Sequence, residues 1–222
     1  MRRFALKMLI CAAVAGAALS VMAQQGKSVA FDALKRGWDQ KTVAVPGGGV
    51  KPSVEKLVSA FCKAWPTRSC ADIQLYLNDP MRFKALYSQN NDTAYAVTVD
   101  RSNGFLMASD EGGDSPYFFA TLWRRSNGHT LLGIHAVQPV DPNVDVLLFY
   151  DYNPKTAQLV PEKAVADYLT SQKYGQVEMR WVELPRKGKD VVVTAYGKEP
   201  AVYYTFRFNG LGFDEPVISS ME

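Results

Sequence analysis

The chain has 222 residues, of which 25 are Lys or Arg and 22 are Asp or Glu. Three of the basic residues and none of the acidic ones lie within residues 1–23, so the rest of the chain has as many bases as acids. This balance argues against general binding of nucleic acid, which needs a basic surface. Residues 24–222 are enough for one substantial hydrophobic core or two small ones.

Residues 1–23 have the pattern of a secretory signal peptide. Three basic residues come first: Arg2, Arg3 and Lys7. A run of small and apolar residues follows and ends in residues that a signal peptidase reads, so we expect a mature protein that begins at Gln24 and is exported to the periplasm or beyond the cell. Cys11 lies inside the apolar run, where lipid attachment is not expected. No later stretch approaches the roughly 20 consecutive apolar residues of a membrane-spanning helix.

Residues 24–49 read as an N-terminal arm that ends in a Gly-rich linker. Phe31, Leu34 and Trp38 have helical spacing, and the sequence VPGGG at 45–49 then interrupts the chain. We therefore expect residues 50–222 to form a single β-rich domain with a helix at its start.

Residues 52–65 carry the clearest helical pattern. Their apolar residues fall on one stripe: Val54, Leu57, Val58, Phe61 and Trp65. Pro52 suits the first helical turn, and Pro66 stops the helix. The stripe is interpreted as part of the core, with a partner-binding face as the alternative. Residues 71–89 fit either a strand or a helix, since Ile73, Leu75 and Leu77 alternate whereas the later apolar residues have helical spacing.

Cys62 and Cys70 are the only cysteines that remain after removal of residues 1–23. Two nearby cysteines in an exported protein most often form a disulfide, and we predict that these two are bonded. Closing so small a loop should contribute roughly 2–3 kcal/mol in the chain-entropy model.

From residue 93 onward the chain reads as a succession of hairpins. Turn sequences occur at 103–104, 127–128, 153–156, 187–189 and 209–210. The strongest pattern is 117–152, which predicts three long antiparallel strands covered on both faces, with Asn127 and Gly128 in a type I′ turn. The tetrapeptide RSNG occurs twice, but the later turns do not keep its period, so a propeller is not expected. We predict an α+β fold, mainly an antiparallel meander of about ten strands, as an open twisted sheet or a barrel, with one or two N-terminal helices.

The sequence contains no familiar catalytic motif. It lacks GxSxG, HExxH, a P-loop and GxGxxG. His129 follows a turn and is expected to be exposed, whereas His135 lies within a strand. A site that the fold assembles from Asp151 or His135 is the enzymatic alternative.

Two acidic loops have some of the oxygen ligands of a metal site. Residues 141–145 alternate oxygen ligands like a calcium loop, but the glycine and the bidentate Glu of that loop are missing. Residues 110–114 are acidic and Gly-rich without a defined spacing. We therefore predict polar loops, with no metal and no cofactor.

Aromatic residues crowd the later strands: Trp123, Tyr150, Tyr152, Tyr203, Tyr204, Phe206 and Phe208. Most are expected in the core, although Tyr and Trp on an exposed sheet face could stack on sugar rings or hold an extended peptide.

The segments Leu148–Thr156 (LFYDYNPKT) and Phe206–Gly210 (FRFNG), after a signal peptide and a helical arm, resemble uncharacterised secreted proteins of the Bacteroidetes. The resemblance implies a periplasmic or surface-associated domain of unknown function and supplies no catalytic residues. It also implies a site of O-glycosylation at Thr93, because Asp92-Thr93-Ala94 is similar to the acceptor pattern of that lineage.

The leading hypothesis is a non-catalytic envelope protein that binds a peptide, a glycan or a partner protein. The alternative is a hydrolase acting on envelope or dietary polymers. A deep pocket with His135 beside a carboxylate would favour the enzyme, whereas a flat face with exposed aromatic residues would favour binding.

Overall fold

The elements of secondary structure come from a computed structural model that describes residues 41–65, 67–88, 96–110, 115–137, 145–171, 179–196 and 201–220. All of these residues belong to one compact unit, 40–222. The helices are α1 (Val54–Ala64), α2 (Arg68–Asn78), α3 (Pro80–Ser88) and α4 (Lys163–Leu169). The strands are β1 (Val43–Ala44), β2 (Ala96–Asp100), β3 (Phe105–Asp110), β4 (Ser115–Arg124), β5 (Thr130–Val137), β6 (Asp145–Asn153), β7 (Gln158–Pro161), β8 (Met179–Glu183), β9 (Val191–Tyr196), β10 (Val202–Phe206) and β11 (Val217–Ser220). The predicted signal peptide, the start of the N-terminal arm, Thr93 and most of both acidic loops lie outside the described residues.

The described strands form two antiparallel sheets. The larger has seven strands in the order β1-β7-β6-β5-β4-β3-β2, and the smaller has four in the order β11-β10-β9-β8. The predicted α+β class and the dominance of antiparallel sheet are confirmed. The single sheet of successive hairpins is replaced by two sheets, and neither sheet closes on itself.

Strands β4, β5 and β6 form the centre of the larger sheet and are the three strands predicted from residues 117–152. Phe118 faces Ala136 across the β4–β5 pair, and Ile134 faces Leu148 across the β5–β6 pair. Both faces of β4 are buried, with Phe118 on one side and Trp123 on the other, at 0% and 1% exposure. The predicted covering of both faces is therefore confirmed.

Helix α1 covers one face of the larger sheet. It begins at Val54 because the Ser53 hydroxyl caps it, accepting a hydrogen bond from the backbone N–H of Lys56 at 3.3 Å. Four residues of the predicted stripe are buried: Val54, Leu57, Val58 and Phe61. The Phe61 ring packs edge-on against Tyr150 of β6, with the ring centroids 5.7 Å apart. The stripe is thus part of the core.

The smaller sheet covers the other face. Thr121 donates its hydroxyl to the Pro185 carbonyl at 3.1 Å, which joins β4 to the segment after β8. Between the sheets lies a hydrophobic cluster that α4 completes: Trp123, Leu131, Phe149, Leu169, Val182, Leu184, Val191, Val193, Ala195, Tyr204 and Phe206. Gly133 leaves room for this cluster, because a Cβ there would lie 2.8 Å from both the Phe149 and the Trp123 rings.

The ambiguous residues 71–89 are helical as far as the structure describes them. Thr67 caps α2 by accepting from the backbone N–H of Cys70 at 3.2 Å. Of the alternating apolar residues only Ile73 is buried, so the alternation did not indicate a strand. Helix α3 packs on α2, where Phe83 meets the Tyr76 ring edge-on with centroids 5.4 Å apart.

The turns form where they were predicted, but the type I′ geometry at 127–128 is wrong. Gly128 has a positive φ of 83°, whereas among the described non-glycine residues only Ala157 has one. A type I′ turn needs positive φ at both central residues. Asn127 instead uses its side-chain carbonyl to accept from the His129 backbone N–H at 3.0 Å. The loop is longer than two residues, because β4 and β5 separate after the pairing of Arg124 with Thr130.

The end of the predicted linker belongs to the body of the domain. Val43 pairs with Leu159 of β7, and Val45 is 1% exposed. A Cβ on Gly48 would lie 2.2 Å from the Tyr152 hydroxyl, which donates to the Gly49 carbonyl at 2.8 Å. Gly48 therefore permits close packing on the sheet, a use that a Gly-rich sequence does not distinguish from flexibility.

Candidate functional site

The site predicted around His135 and Asp151 is not assembled. His135 is 1% exposed and lies against the rings of Phe119 and Trp181, with centroids 5.9 and 5.1 Å away. Asp151 faces Leu131, four positions along β5 from His135. Successive residues in a strand are about 3.3 Å apart, so the register keeps the imidazole and the carboxylate out of hydrogen-bond reach.

Asp151 instead belongs to a group of four charged or titratable residues, which we call the hairpin-tip cluster: Arg125, His129, Asp151 and Glu162. The Arg125 Nη1 atom lies 2.7 Å from Asp151 Oδ1, and its Nη2 atom lies 2.8 Å from Glu162 Oε2. The Nδ1 atom of His129 lies 2.6 Å from Asp151 Oδ2. Asp151 therefore bridges the guanidinium and the imidazole.

Backbone pairing brings the four residues together. Arg125 and His129 stand at the two ends of the β4–β5 turn, where the Arg125 N–H donates to the His129 carbonyl at 3.0 Å. Asp151 lies in the neighbouring strand β6. Glu162 precedes α4, and its backbone N–H donates to the Phe149 carbonyl at 2.8 Å, which holds the start of α4 against β6. The cluster thus links a turn, a strand and a helix start.

The electrostatics of the cluster centre on Arg125. Its side chain is 8% exposed, compared with 20% for Asp151 and 31% for Glu162. Burying a guanidinium is costly unless it is paired, and here two carboxylates flank it. With neutral His129 the formal charge of the cluster is negative, and a protonated imidazole would balance it. The arrangement is that of a partly buried ion-pair network.

The contact with Asp151 orients the imidazole ring of His129. A carboxylate on Nδ1 fixes the ring and leaves Nε2 available to accept a proton, as in hydrolase triads. The His129 side chain is 27% exposed, so solvent reaches the ring. Within the described ranges, no Ser, Thr or Cys side chain is hydrogen-bonded to His129, and no three His, Cys, Asp or Glu residues are placed to hold a metal ion.

The two cysteines are buried free thiols in the structure, one in α1 and one in α2. The predicted disulfide between Cys62 and Cys70 is therefore not present. Burial raises the pKa of the Cys62 thiol well above its usual range, and a hydrogen bond with Cys70 raises it further. A bond between the two cysteines after export to an oxidising compartment stays a prediction.

The crowded aromatic residues do not form an exposed face. Trp123, Tyr150, Tyr152 and Phe206 are buried to 1% exposure or less. Within the described part of the chain, the exposed large hydrophobic residues are all aliphatic: Val50, Met81, Leu86, Val160, Leu211, Val217 and Ile218. Within the described residues no aromatic side chain is as exposed as these aliphatic ones, and Tyr203 and Phe208 are half-buried.

Two of those aliphatic residues lie on β11, the outer strand of the smaller sheet. Every residue of this strand is exposed, with Val217 at 54% and Ile218 at 62%. It pairs with β10 over four residues, and its other edge has no neighbouring strand among those described. The hairpin turn predicted at 209–210 implied a strand after it, but the four residues of β11 show no alternation between apolar and polar positions that would have indicated its exposure.

The His129–Asp151 pair was also missed from the sequence. The hairpin turn was identified, but pairing a turn residue with a carboxylate on the next strand requires the β5–β6 register. That register places Asp151 opposite Leu131, two positions from His129. The lengths of the β4–β5 turn and of the β5–β6 loop would have been the signal, because together they determine which residue of β6 lies beside His129.

Within the described residues, no helix has both the length and the apolar character needed to cross a membrane. Comparison of the chain with protein-family models, curated proteins and solved structures gave no match.

Proposed function

We propose that this chain is an exported, non-catalytic envelope protein that binds a peptide, a glycan or a partner protein. The observation that carries the proposal is the outer edge of β11, a strand whose four residues are all exposed, which includes two apolar side chains and which has no neighbour on that edge among the described strands. Such an edge is a template for another extended chain. Because a glycan has no backbone amides to continue a sheet, a peptide or a protein segment is the favoured ligand.

The interior of the molecule supports the same proposal. His135, the strand histidine that an enzyme would have needed in a cleft, is packed between aromatic rings. The aromatic residues fill the two cores on either side of the larger sheet. His135 and the buried aromatic residues are therefore not accessible to a ligand, which supports binding at the surface.

Export rests on the leader pattern at residues 1–23, which supports a periplasmic or extracellular location, and the resemblance to Bacteroidetes proteins supports a bacterial envelope. The test is the intact mass of the protein recovered from its host. A chain that begins at Gln24 without a lipid is expected. A retained leader or a diacylglycerol adduct would contradict the proposal.

The binding function is tested by offering the purified protein extended peptides, soluble glycans and envelope proteins in equilibrium binding assays. We expect saturable binding of one class, with the ligand's mass unchanged after incubation. Cleavage of the bound ligand by the wild-type protein would contradict a non-catalytic role.

The second candidate is a hydrolase acting on envelope or dietary polymers, and the 2.6 Å contact between His129 and Asp151 favours it. In this alternative His129 accepts a proton from water, and Asp151 orients the ring. His129→Asn should then abolish any cleavage while leaving ligand binding intact. Lys155→Ala, a change in the exposed turn after β6, is the matched control.

A further inference from the structure

We propose that β11 receives an extended segment of a partner protein, with β-branched residues along the segment and Lys or Arg at one end. This inference rests on the proposed binding function and names its ligand and site. The segment adds to the smaller sheet as a fifth strand and continues its hydrogen-bond ladder beyond β11.

The position of β11 shows that it does little for the fold itself. Neither Val217 nor Ile218 belongs to the hydrophobic cluster between the sheets, to which the neighbouring β10 contributes Tyr204 and Phe206. Successive side chains of a strand point to opposite faces, so the exposure of both Val217 and Ile218 means that both faces of β11 are open.

The other outer strands are shorter than β11 or contain charged residues, whereas β11 has four uncharged residues. Strand β1 is only two residues long, and β2 ends at a charged residue, Asp100. Strand β8 contains Arg180 and Glu183. Short length and charge are the devices by which soluble proteins discourage pairing at an edge. The sequence of β11, VISS, contains no charge and no proline.

The negative charge beside β11 indicates which type of residue is favoured at one end of the partner segment. Asp214 and Glu215, both exposed, immediately precede Pro216 and the strand. A strand that pairs with β11 would bring its end next to these two carboxylates. A basic residue at that end is therefore favoured, and an acidic one is disfavoured.

A second copy of this chain fits the edge poorly. Antiparallel pairing centred between Ile218 and Ser219 would set Ile218 of one copy opposite Ser219 of the other, and a shift by one residue would set the two Ile218 side chains opposite each other. In either register the second copy brings no Lys or Arg to Asp214 and Glu215, because residues 214–220 contain none. The edge of β11 thus favours a segment of a different protein, one that has a basic residue at the end beside Asp214 and Glu215.

The test uses a fluorescein-labelled peptide, Thr-Val-Thr-Val-Thr-Val-Thr-Lys-Lys, in fluorescence anisotropy with the purified protein. We expect saturable binding and, in amide NMR spectra, shifts concentrated at residues 217–220. Replacing the two lysines of the peptide with glutamates should weaken binding by about tenfold or more. Two further peptides carry backbone N-methyl groups at alternate positions, one in each phase. Only one of them should lose binding, because only one set of amides faces β11.

Two protein variants complete the test. Ile218→Lys should lose about tenfold or more in affinity for the basic peptide, since it removes an apolar contact and adds like charge. Leu211→Lys is the matched control, because Leu211 is 52% exposed but lies in a turn outside β11. It should bind like the wild type, and both variants should keep the wild-type urea midpoint.

Three results would overturn the proposal: no saturable binding of the peptide, equal binding by Ile218→Lys, or a concentration-dependent dimer that Ile218→Lys dissociates. The binding function has a separate readout. If another ligand binds wild type and Ile218→Lys equally, the assignment to β11 fails while the proposed function stands.

Discussion

Trp123 donates its indole N–H to the backbone carbonyl of Lys189 at 2.8 Å, and so joins the centre of the larger sheet to the β8–β9 loop of the smaller one. The ring of Trp123 also packs against Phe149 and Phe213, with centroids 6.0 and 5.5 Å away. One side chain therefore provides both the apolar bulk between the sheets and a polar link across them.

Trp123→Phe separates these two contributions. The variant keeps an aromatic ring but leaves the Lys189 carbonyl without this donor, so unfolding should become easier by about 1–3 kcal/mol. Trp123→Ala also removes the ring and should cost about 3–5 kcal/mol. Urea unfolding followed by circular dichroism measures both. Equal losses for the two variants would show that the hydrogen bond accounts for the whole effect.

Gly133→Ala should destabilise the protein by overpacking. The added methyl would lie 2.8 Å from the rings of both Phe149 and Trp123, well inside normal contact distance. Forcing extra volume into a packed core typically costs about 1–3 kcal/mol. Gly212→Ala is the control, because a Cβ there meets nothing within 4 Å and its φ is not positive. Thermal unfolding of the two variants should differ, and equal midpoints would contradict this packing.

Asp151→Asn should weaken the hairpin-tip cluster without changing its shape. Arg125, only 8% exposed, would keep Glu162 but lose one of its two carboxylates. A hydrogen bond to a charged group contributes about 1.5–3 kcal/mol, and a loss within that range is expected in urea unfolding. Glu55→Gln, which breaks the pair with the 80% exposed Arg101, should cost less than about 1 kcal/mol. A larger loss of unfolding free energy in Glu55→Gln than in Asp151→Asn would contradict the greater contribution assigned to the Arg125–Asp151 pair.

The buried Cys62 thiol makes the stability of the protein depend on pH and on redox state. The pKa of Cys62 is raised in the folded protein, so the neutral thiol is favoured there more than in the unfolded chain. This contribution is complete below the unfolded thiol pKa of about 8.5 and is lost as pH rises through the folded pKa.

In reductant, the unfolding free energy of the wild type should therefore fall between about pH 8 and pH 10 more steeply than that of Cys62→Ala. If the cysteines are bonded after export, the same protein without reductant should lose this difference in slope. Thiol titration of the denatured, unreduced protein reads the bond directly. Finding both thiols free would contradict the predicted disulfide, whereas parallel pH profiles in reductant would contradict the burial effect.

The parts of the fold that follow from local pattern could be predicted. The spacing of Val54, Leu57, Val58 and Phe61 identifies α1, because one side of an isolated helix must be apolar to pack on a sheet. The two apolar faces of β4 predict a strand covered on both sides for the same reason. Both inferences can be made without knowing which elements pack on the stripe of α1 and on the two faces of β4.

The features that depend on long-range register were not predictable. The division into two sheets is set by which strands pair, and β10 with β11 gives no local sign of forming a separate sheet from β4 and β5. The candidate site has the same origin, because Asp151 meets His129 only through the alignment of β5 with β6. At Asn127, a side-chain hydrogen bond outweighed the usual preference of an Asn-Gly pair.

The hydrogen bond from Tyr152 to the Gly49 carbonyl has a consequence for the order in which the molecule folds. It closes a loop of 103 residues, whereas the contact between the Arg124 and Thr130 side chains spans 6. The entropic cost of closure grows with loop length, so the β4–β5 hairpin can form early, while β1 has no partner until β6 and β7 are in place. Although β1 is made first, it should be the last strand to join the sheet and the first to exchange its amide hydrogens with solvent.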